Sequence, residues 1–240
     1  MSRHMSERIL ILGATGGIGR ALARRIHARG ATPVLLARDA GRLAALASEL
    51  PGSEAVQGDV LALPALPPGP LAGLAFCVGS ILVKPAARTS EAEMLDAFRL
   101  NALAAARAVQ AALPALAEGR GSVVLFSSVA ARVGFGGHLA ISMAKAAVEG
   151  MAVALAAELA PAVRVNCIAP SLTRTGIAEP LTRNAAMAEA IAKTHPVNRL
   201  GEAEDSAALA DFLLSPAAGW ITGQVMAVDG GRSTLRAKGG

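Results

Sequence analysis

The chain has 240 residues, 53% hydrophobic, 17% charged and 2% aromatic, with no tyrosine. That length and apolarity exclude a disordered chain and fit one α/β domain with a sizeable core. The formal net charge of +5 comes from scattered side chains without a basic run, and the lack of aromatics for base stacking argues against a nucleic-acid arm.

Residues 8–12 are an apolar run that reads as a strand, ended by Gly13-Ala14-Thr15-Gly16-Gly17-Ile18-Gly19. Residues 17–29 come next, with helical spacing at Ile18, Leu22 and Ile26. Pro33 opens a second strand at 34–37, a helix is expected over 40–50, and a short strand over 55–57. The stretch 60–83 carries no charge and is long enough to suggest a membrane span. Its prolines at 64, 67, 68 and 70 would break a helix there, so it reads as a connection leading into a buried strand at 74–78. Residues 90–116 form a long helix or two, 122–127 a fifth strand, 140–159 a helix, 164–168 a sixth strand and 225–228 a seventh.

Fully apolar strands alternating with helices predict a Rossmann-type, doubly wound parallel sheet of about seven strands, covered on both faces. No linker or repeat divides residues 1–240, with 1–6 and 233–240 expected as flexible ends. Cys77 and Cys167 lie in apolar stretches and read as buried small hydrophobes; no Cys/His cluster has metal-ligand spacing. No secretory signal is read, and a soluble cytoplasmic protein is expected.

The glycine loop comes directly after a strand and opens a helix. That context suits a dinucleotide pyrophosphate, because glycine permits the turn, the close approach of backbone to phosphate and tight helix–strand packing. The end of the second strand selects the cofactor. An acid there would bind the ribose 2′-hydroxyl, and an arginine would accommodate a 2′-phosphate. Here Arg38 is placed to hold a phosphate, which favours NADP(H). Asp39 stands one step late and keeps NAD(H) open.

The glycine spacing, together with motifs further along the chain, resembles the short-chain dehydrogenase/reductase family over about residues 7–233. Asp59-Val60 matches that family's adenine-contacting pair, and Gly79 is the glycine after its fourth strand. Asn101 matches the asparagine of its central helix, Ser127-Ser128 its catalytic serine segment, and Lys145 its lysine. Arg164-Val165-Asn166-Cys167-Ile168-Ala169-Pro170 is similar to its sixth strand and the proline after it. Thr173 lies near the position that touches the nicotinamide carboxamide. Thr222-Gly223-Gln224 and Val228-Asp229-Gly230-Gly231 match the C-terminal signature. The resemblance implies that Gly13, Thr15, Gly16, Gly17, Ile18, Gly19, Arg38, Asp59, Val60, Gly79, Lys145, Pro170 and Thr173 hold the cofactor, and that Asn101, Ser128 and Lys145 are catalytic.

Three positions depart from the family. The catalytic tyrosine four residues before the lysine is Ile141, which can neither donate nor accept a proton. The Asn-Asn-Ala-Gly segment is Phe76-Cys77-Val78-Gly79, and the glycine after Pro170 is Ser171. Three readings remain open. The first is a reductase of an activated C=C or C=O in which His138, seven residues before Lys145, supplies the acid or stabilises the enolate. The second is a nucleotide-binding protein without dehydrogenase chemistry. The third is a redox-neutral lyase or isomerase.

A lid is expected over 171–195. Alanine-rich helices at 90–116 and 140–160 imply a homotetramer or homodimer that works on a small-molecule substrate away from membranes and nucleic acid.

Overall fold

The structure, a computed structural model, describes residues 7–235. The strand β1 (Arg8–Leu12) is followed by α1 (Gly17–Ala28), β2 (Thr32–Ala37), α2 (Ala40–Glu49), β3 (Glu54–Gln57) and β4 (Gly73–Phe76). Then come α3 (Glu91–Phe98), a π-helical turn (Arg99–Leu103), α4 (Ala104–Glu118), β5 (Ser122–Phe126), α5 (Leu139–Leu159) and β6 (Arg164–Pro170). The C-terminal part adds β7 (Thr173–Arg174), α6 (Glu179–Thr182), α7 (Ala185–Lys193), β8 (Gly201–Glu202), α8 (Ala203–Leu214) and β9 (Val225–Val228).

Seven strands form one parallel sheet in the order β3-β2-β1-β4-β5-β6-β9, and the strand order reverses between β1 and β4. The period-two alternation of strand side chains explains why the strands are apolar throughout. Leu10 and Leu12 join the core under α4 and α5, while Ile9 and Ile11 join the core under α1, α2 and α8. The helical span Glu91–Glu118 and helix Leu139–Leu159 are long and apolar enough to cross a membrane. Here their alanine faces, Ala105, Ala108, Ala112 and Ala152 among them, pack against the sheet.

Several boundaries shift for local reasons. β4 ends at Phe76, and only a hydrogen bond from the Cys77 N–H to the Leu12 carbonyl carries the chain past the sheet edge. β6 runs on to Pro170, opposite Val228, where a missing N–H at the end of the ladder costs little. The long helix divides at the π turn. The two-residue strands β7 and β8, which pair with each other, frame the lid.

The tail is a correction. Residues 1–6 and 236–240 lie outside the described residues, but 232–235 are not frayed. Asp229 accepts hydrogen bonds from Gly231 N–H, Ser233 N–H and Ser233 Oγ, folding the chain back. Arg232 stacks on the Phe135 ring at 4.5 Å. The aspartate caps a turn and the guanidinium finds an aromatic face, so the polar residues are held in place.

Candidate active site

The loops at the carboxyl ends of β1, β4, β5 and β6 meet at the reversal of strand order, the place where open α/β sheets bind ligands. The glycine loop is a tight cradle. Gly13 has φ +79° and a Cβ there would strike Val78 and the Cys77 backbone. A Cβ on Gly19 would lie 2.3 Å from the Gly13 carbonyl oxygen, and one on Gly17 would lie 2.5 Å from Thr175 Cγ2. These positions fit a loop that lays bare backbone at a helix N-terminus against a phosphate. Thr15 and Gly16 sit on its rim, where the Thr15 carbonyl accepts a hydrogen bond from Arg42 at 2.6 Å.

At the end of β2 the Arg38 side chain is exposed, with Asp59 Oδ2 3.9 Å from Nη1. Asp39 is committed elsewhere, capping α2 by accepting from the Arg42 N–H at 2.9 Å. The Val60 side chain lies in the core, so that residue presents only its backbone toward an adenine site.

The Asn101, Gly79 and Lys145 expected at the site converge. The π turn shifts the helix ladder, and Asn101 Nδ2 donates to the Ala97 carbonyl (2.8 Å) and to Ser80 Oγ (3.0 Å). Its Oδ1 accepts from the Ser80 N–H at 3.3 Å. Gly79 lies between this amide and the lysine: a Cβ there would be 3.1 Å from Asn101 Oδ1 and 3.3 Å from Lys145 Nζ. The buried Lys145 ammonium donates to the Phe126 carbonyl at 2.8 Å. Burial pushes its pKa down to about 8, opposed by Cys167 and Cys77. Burial raises both of those thiols to about 12, so they are inert hydrophobes at neutral pH.

Behind the site Ser127 Oγ shares its one proton between Glu149 Oε1 (2.9 Å) and the Lys145 carbonyl (3.1 Å), and Arg132 Nε pairs with Glu149 Oε2 at 2.5 Å. This ties the end of β5 to α5 and so positions the lysine. Asn166, fully buried on β6, plays the same part for the C-terminal signature by bonding the Ile221 carbonyl and the Gln224 N–H.

A cavity of about 290 Å³ opens beside these groups, bounded by Ile18, Gly79, Ser128, His138, Ile141, Lys145, Pro170 and Thr173. Ile141 is 4% exposed and gives this cavity an apolar wall. Ser128 Oγ accepts from the Ala130 N–H at 3.1 Å, which leaves its proton for a ligand. His138 Nδ1 lies 2.9 Å from the Gly136 carbonyl. A carbonyl only accepts, so Nδ1 carries a proton and Nε2 has no protein partner among the described residues. Thr173 is buried and turns its hydroxyl to the Ser171 carbonyl.

Sequence reasoning missed Thr175, which packs on the glycine loop, the Ser127–Glu149–Arg132 support, and a cluster of Ser171, His195 and Arg232. The only signal for that cluster was Ser171 standing where a glycine was expected.

Residues 69–233 match a family model described as enoyl-(acyl carrier protein) reductase, and residues 13–66 match one described as NAD(P)H-binding. An uncharacterized oxidoreductase of Mycobacterium tuberculosis is 32% identical over 92% of this chain and 90% of its own length. The rat (Rattus norvegicus) dehydrogenase/reductase SDR family member 4 is 34% identical over 92% of this chain and 85% of its own. Among solved structures, a short-chain dehydrogenase/reductase family oxidoreductase from Burkholderia thailandensis superimposes with a TM-score of 0.89 at 31% identity, covering 97% of this chain and 94% of that one.

Proposed function

The chain belongs to the short-chain dehydrogenase/reductase family, and we propose that it is an NADP(H)-dependent oxidoreductase that reduces an activated C=C or C=O with His138 in place of the absent tyrosine. The observation that carries this reading is the cavity itself, which brings Ser128, Lys145 and His138 together beside the glycine loop.

The bound nicotinamide would supply a hydride. The glycine loop would hold its pyrophosphate, Asp59 and Val60 its adenine, Lys145 its ribose and Thr173 its carboxamide. Asp39 caps α2 through Oδ1, while Arg38 is exposed and, among the described residues, paired only with Asp59 at 3.9 Å, which supports a 2′-phosphate over a bare ribose. Ser128 would donate its hydroxyl proton to the substrate oxygen. Addition to an activated double bond builds negative charge on that oxygen, and His138 in its doubly protonated form, with Nδ1–H kept on the Gly136 carbonyl, would offer Nε2–H to stabilise the charge or deliver the proton. Asn101 is a positioning residue, because its hydrogen bonds go to Ala97 and Ser80.

The test is oxidation of NADPH by the purified chain with a panel of enones and enoyl thioesters, and its loss in His138→Ala. Turnover that survives that substitution removes His138 from the mechanism. One observation favours a second reading, a cofactor-binding protein without turnover: the buried Ile141 gives the wall no proton donor. Tight NADPH binding with no turnover across the panel selects it. The support for a soluble cytoplasmic homotetramer is the expectation from sequence, together with the exposed apolar side chains on α3 and α5.

A further inference from the structure

We propose that the substrate carries a carboxylate, which Arg232 binds at the wall of the cavity formed with Phe135 and Ser171. This rests on the reading of the cavity as the substrate site and names the class of molecule it takes.

The cavity walls are mainly hydrocarbon, and their charged or titratable members are Lys145, His138, Arg232 and the inert thiol Cys77; no Asp or Glu lines it among the described residues. Lys145 is held by the Phe126 carbonyl and His138 by the Gly136 carbonyl. Arg232 is different. Its guanidinium lies over the Phe135 ring at 4.5 Å and makes one side-chain hydrogen bond, from Nη1 to Ser171 Oγ at 3.4 Å. Among the described residues no carboxylate lies within ion-pair distance of it. Asp229, the nearest acid along the chain, spends its hydrogen bonds on Gly231 and Ser233 and acts on Arg232 only through its charge at longer range. Burial presses the Arg232 pKa down. Among the described residues Ser171 Oγ is the one protein acceptor of this half-buried guanidinium, so most of its five donors remain open to an anionic ligand in the cavity.

Ser171 positions the guanidinium and does not compete for the anion. His195 is 2% exposed, and its Nδ1 donates to the Ile191 carbonyl at 2.9 Å. Its Nε2 therefore faces Ser171 Oγ at 2.8 Å as an acceptor when the ring is neutral. The serine proton points to His195, and the oxygen lone pairs point to Arg232. A planar fork carrying a single charge matches a carboxylate in two-point fashion. The apolar walls beside it take a hydrocarbon chain.

The test is calorimetric titration of the whole chain with hexanoate and hexanamide, which share shape and differ in charge, with and without NADPH. Hexanoate is expected to bind about tenfold more tightly, the worth of a charge-assisted pair. Arg232→Gln should bring the two within about twofold, and Arg232→Lys should retain part of the preference, both with unchanged Tm and NADPH affinity. Equal binding of the two probes, binding of neither, or a preference that survives Arg232→Gln overturns the proposal. So does inorganic phosphate displacing hexanoate at equal concentration. A hexanoate preference without NADPH binding sinks the oxidoreductase reading and leaves the Arg232 site standing. Turnover of uncharged enones without a hexanoate preference does the reverse.

Discussion

Lys145 holds a charge where water is excluded, and its pH behaviour is a consequence of that. Its pKa falls from 10.5 in the open chain to about 8 in the fold, through burial. Between those values the unfolded chain binds more protons at this lysine, so its contribution to stability rises with pH there, by ~3 kcal/mol at 1.4 kcal/mol per tenfold, while the two buried thiols, raised from 9.0 to about 12, oppose it above pH 9. Below about pH 8 both states carry the proton, and the folded state bears the full cost of the buried ammonium. Lys145→Met should therefore raise Tm at pH 7, and its advantage over wild type in urea-unfolding free energy should shrink from pH 8 to 10.5, while NADPH binding weakens. A gap between variant and wild type that stays constant across this interval would contradict the assignment. Gly19 sets the opposite limit. A methyl 2.3 Å from the Gly13 oxygen forces the loop to move, so Gly19→Ala should cost ~1–3 kcal/mol in urea and abolish NADPH binding. Gly19 was legible from the spacing of its loop, because local geometry demands it, and Lys145 from the resemblance to the short-chain dehydrogenase/reductase family. Arg232 was not. Its partners lie 61 and 97 positions away at Ser171 and Phe135, and no local pattern announces such a meeting.

The π turn is the element that most directly places the site. A regular helix from 91 to 118 would bond the Ala97 carbonyl within its own ladder. The inserted turn leaves that carbonyl to Asn101 Nδ2 and aims the amide at Ser80 and Gly79. Asn101→Ala should leave a buried carbonyl and the Ser80 N–H short of partners, costing ~1–3 kcal/mol by urea denaturation. If the loop after β4 needs that amide, amide hydrogen exchange at 79–81 should also quicken; unchanged exchange would show that the loop stands without it. The strands and their parallel pairing could be read from the sequence because short, fully apolar runs alternate with helical stretches. The π turn could not, since an apolar helical pattern continues through Leu100 and Leu103 with only Asn101 to interrupt it. The lid strands β7 and β8 are two residues each and have no period to detect.

At the scale of the molecule, one face lacks a covering. Leu95, Phe98 and Leu103 on the α3–α4 span, and Leu139, Met143 and Val153 on α5, are exposed, five of them by more than 40% of their surface. Helices α3 and α5 pack against each other, so these side chains belong to adjoining elements. Exposed apolar side chains gathered on packed helices are of the kind that marks protein–protein interfaces. A second copy of the chain presents the same patch under twofold symmetry, and a self-complementary helical interface of ~800 Å² per partner would cover it. Light scattering should then give a mass of four chains, or two if only this face associates. The double substitution Phe98→Glu and Met143→Glu should shift the mass toward one chain, because like charges would meet across the twofold axis. Both side chains are about half exposed in the single chain, so their replacement removes little packing within it. A drop in mass with Tm preserved would assign the face to assembly. A wild-type chain that scatters as a monomer at micromolar concentration would remove the homotetramer and leave these residues as ordinary exposed hydrophobics.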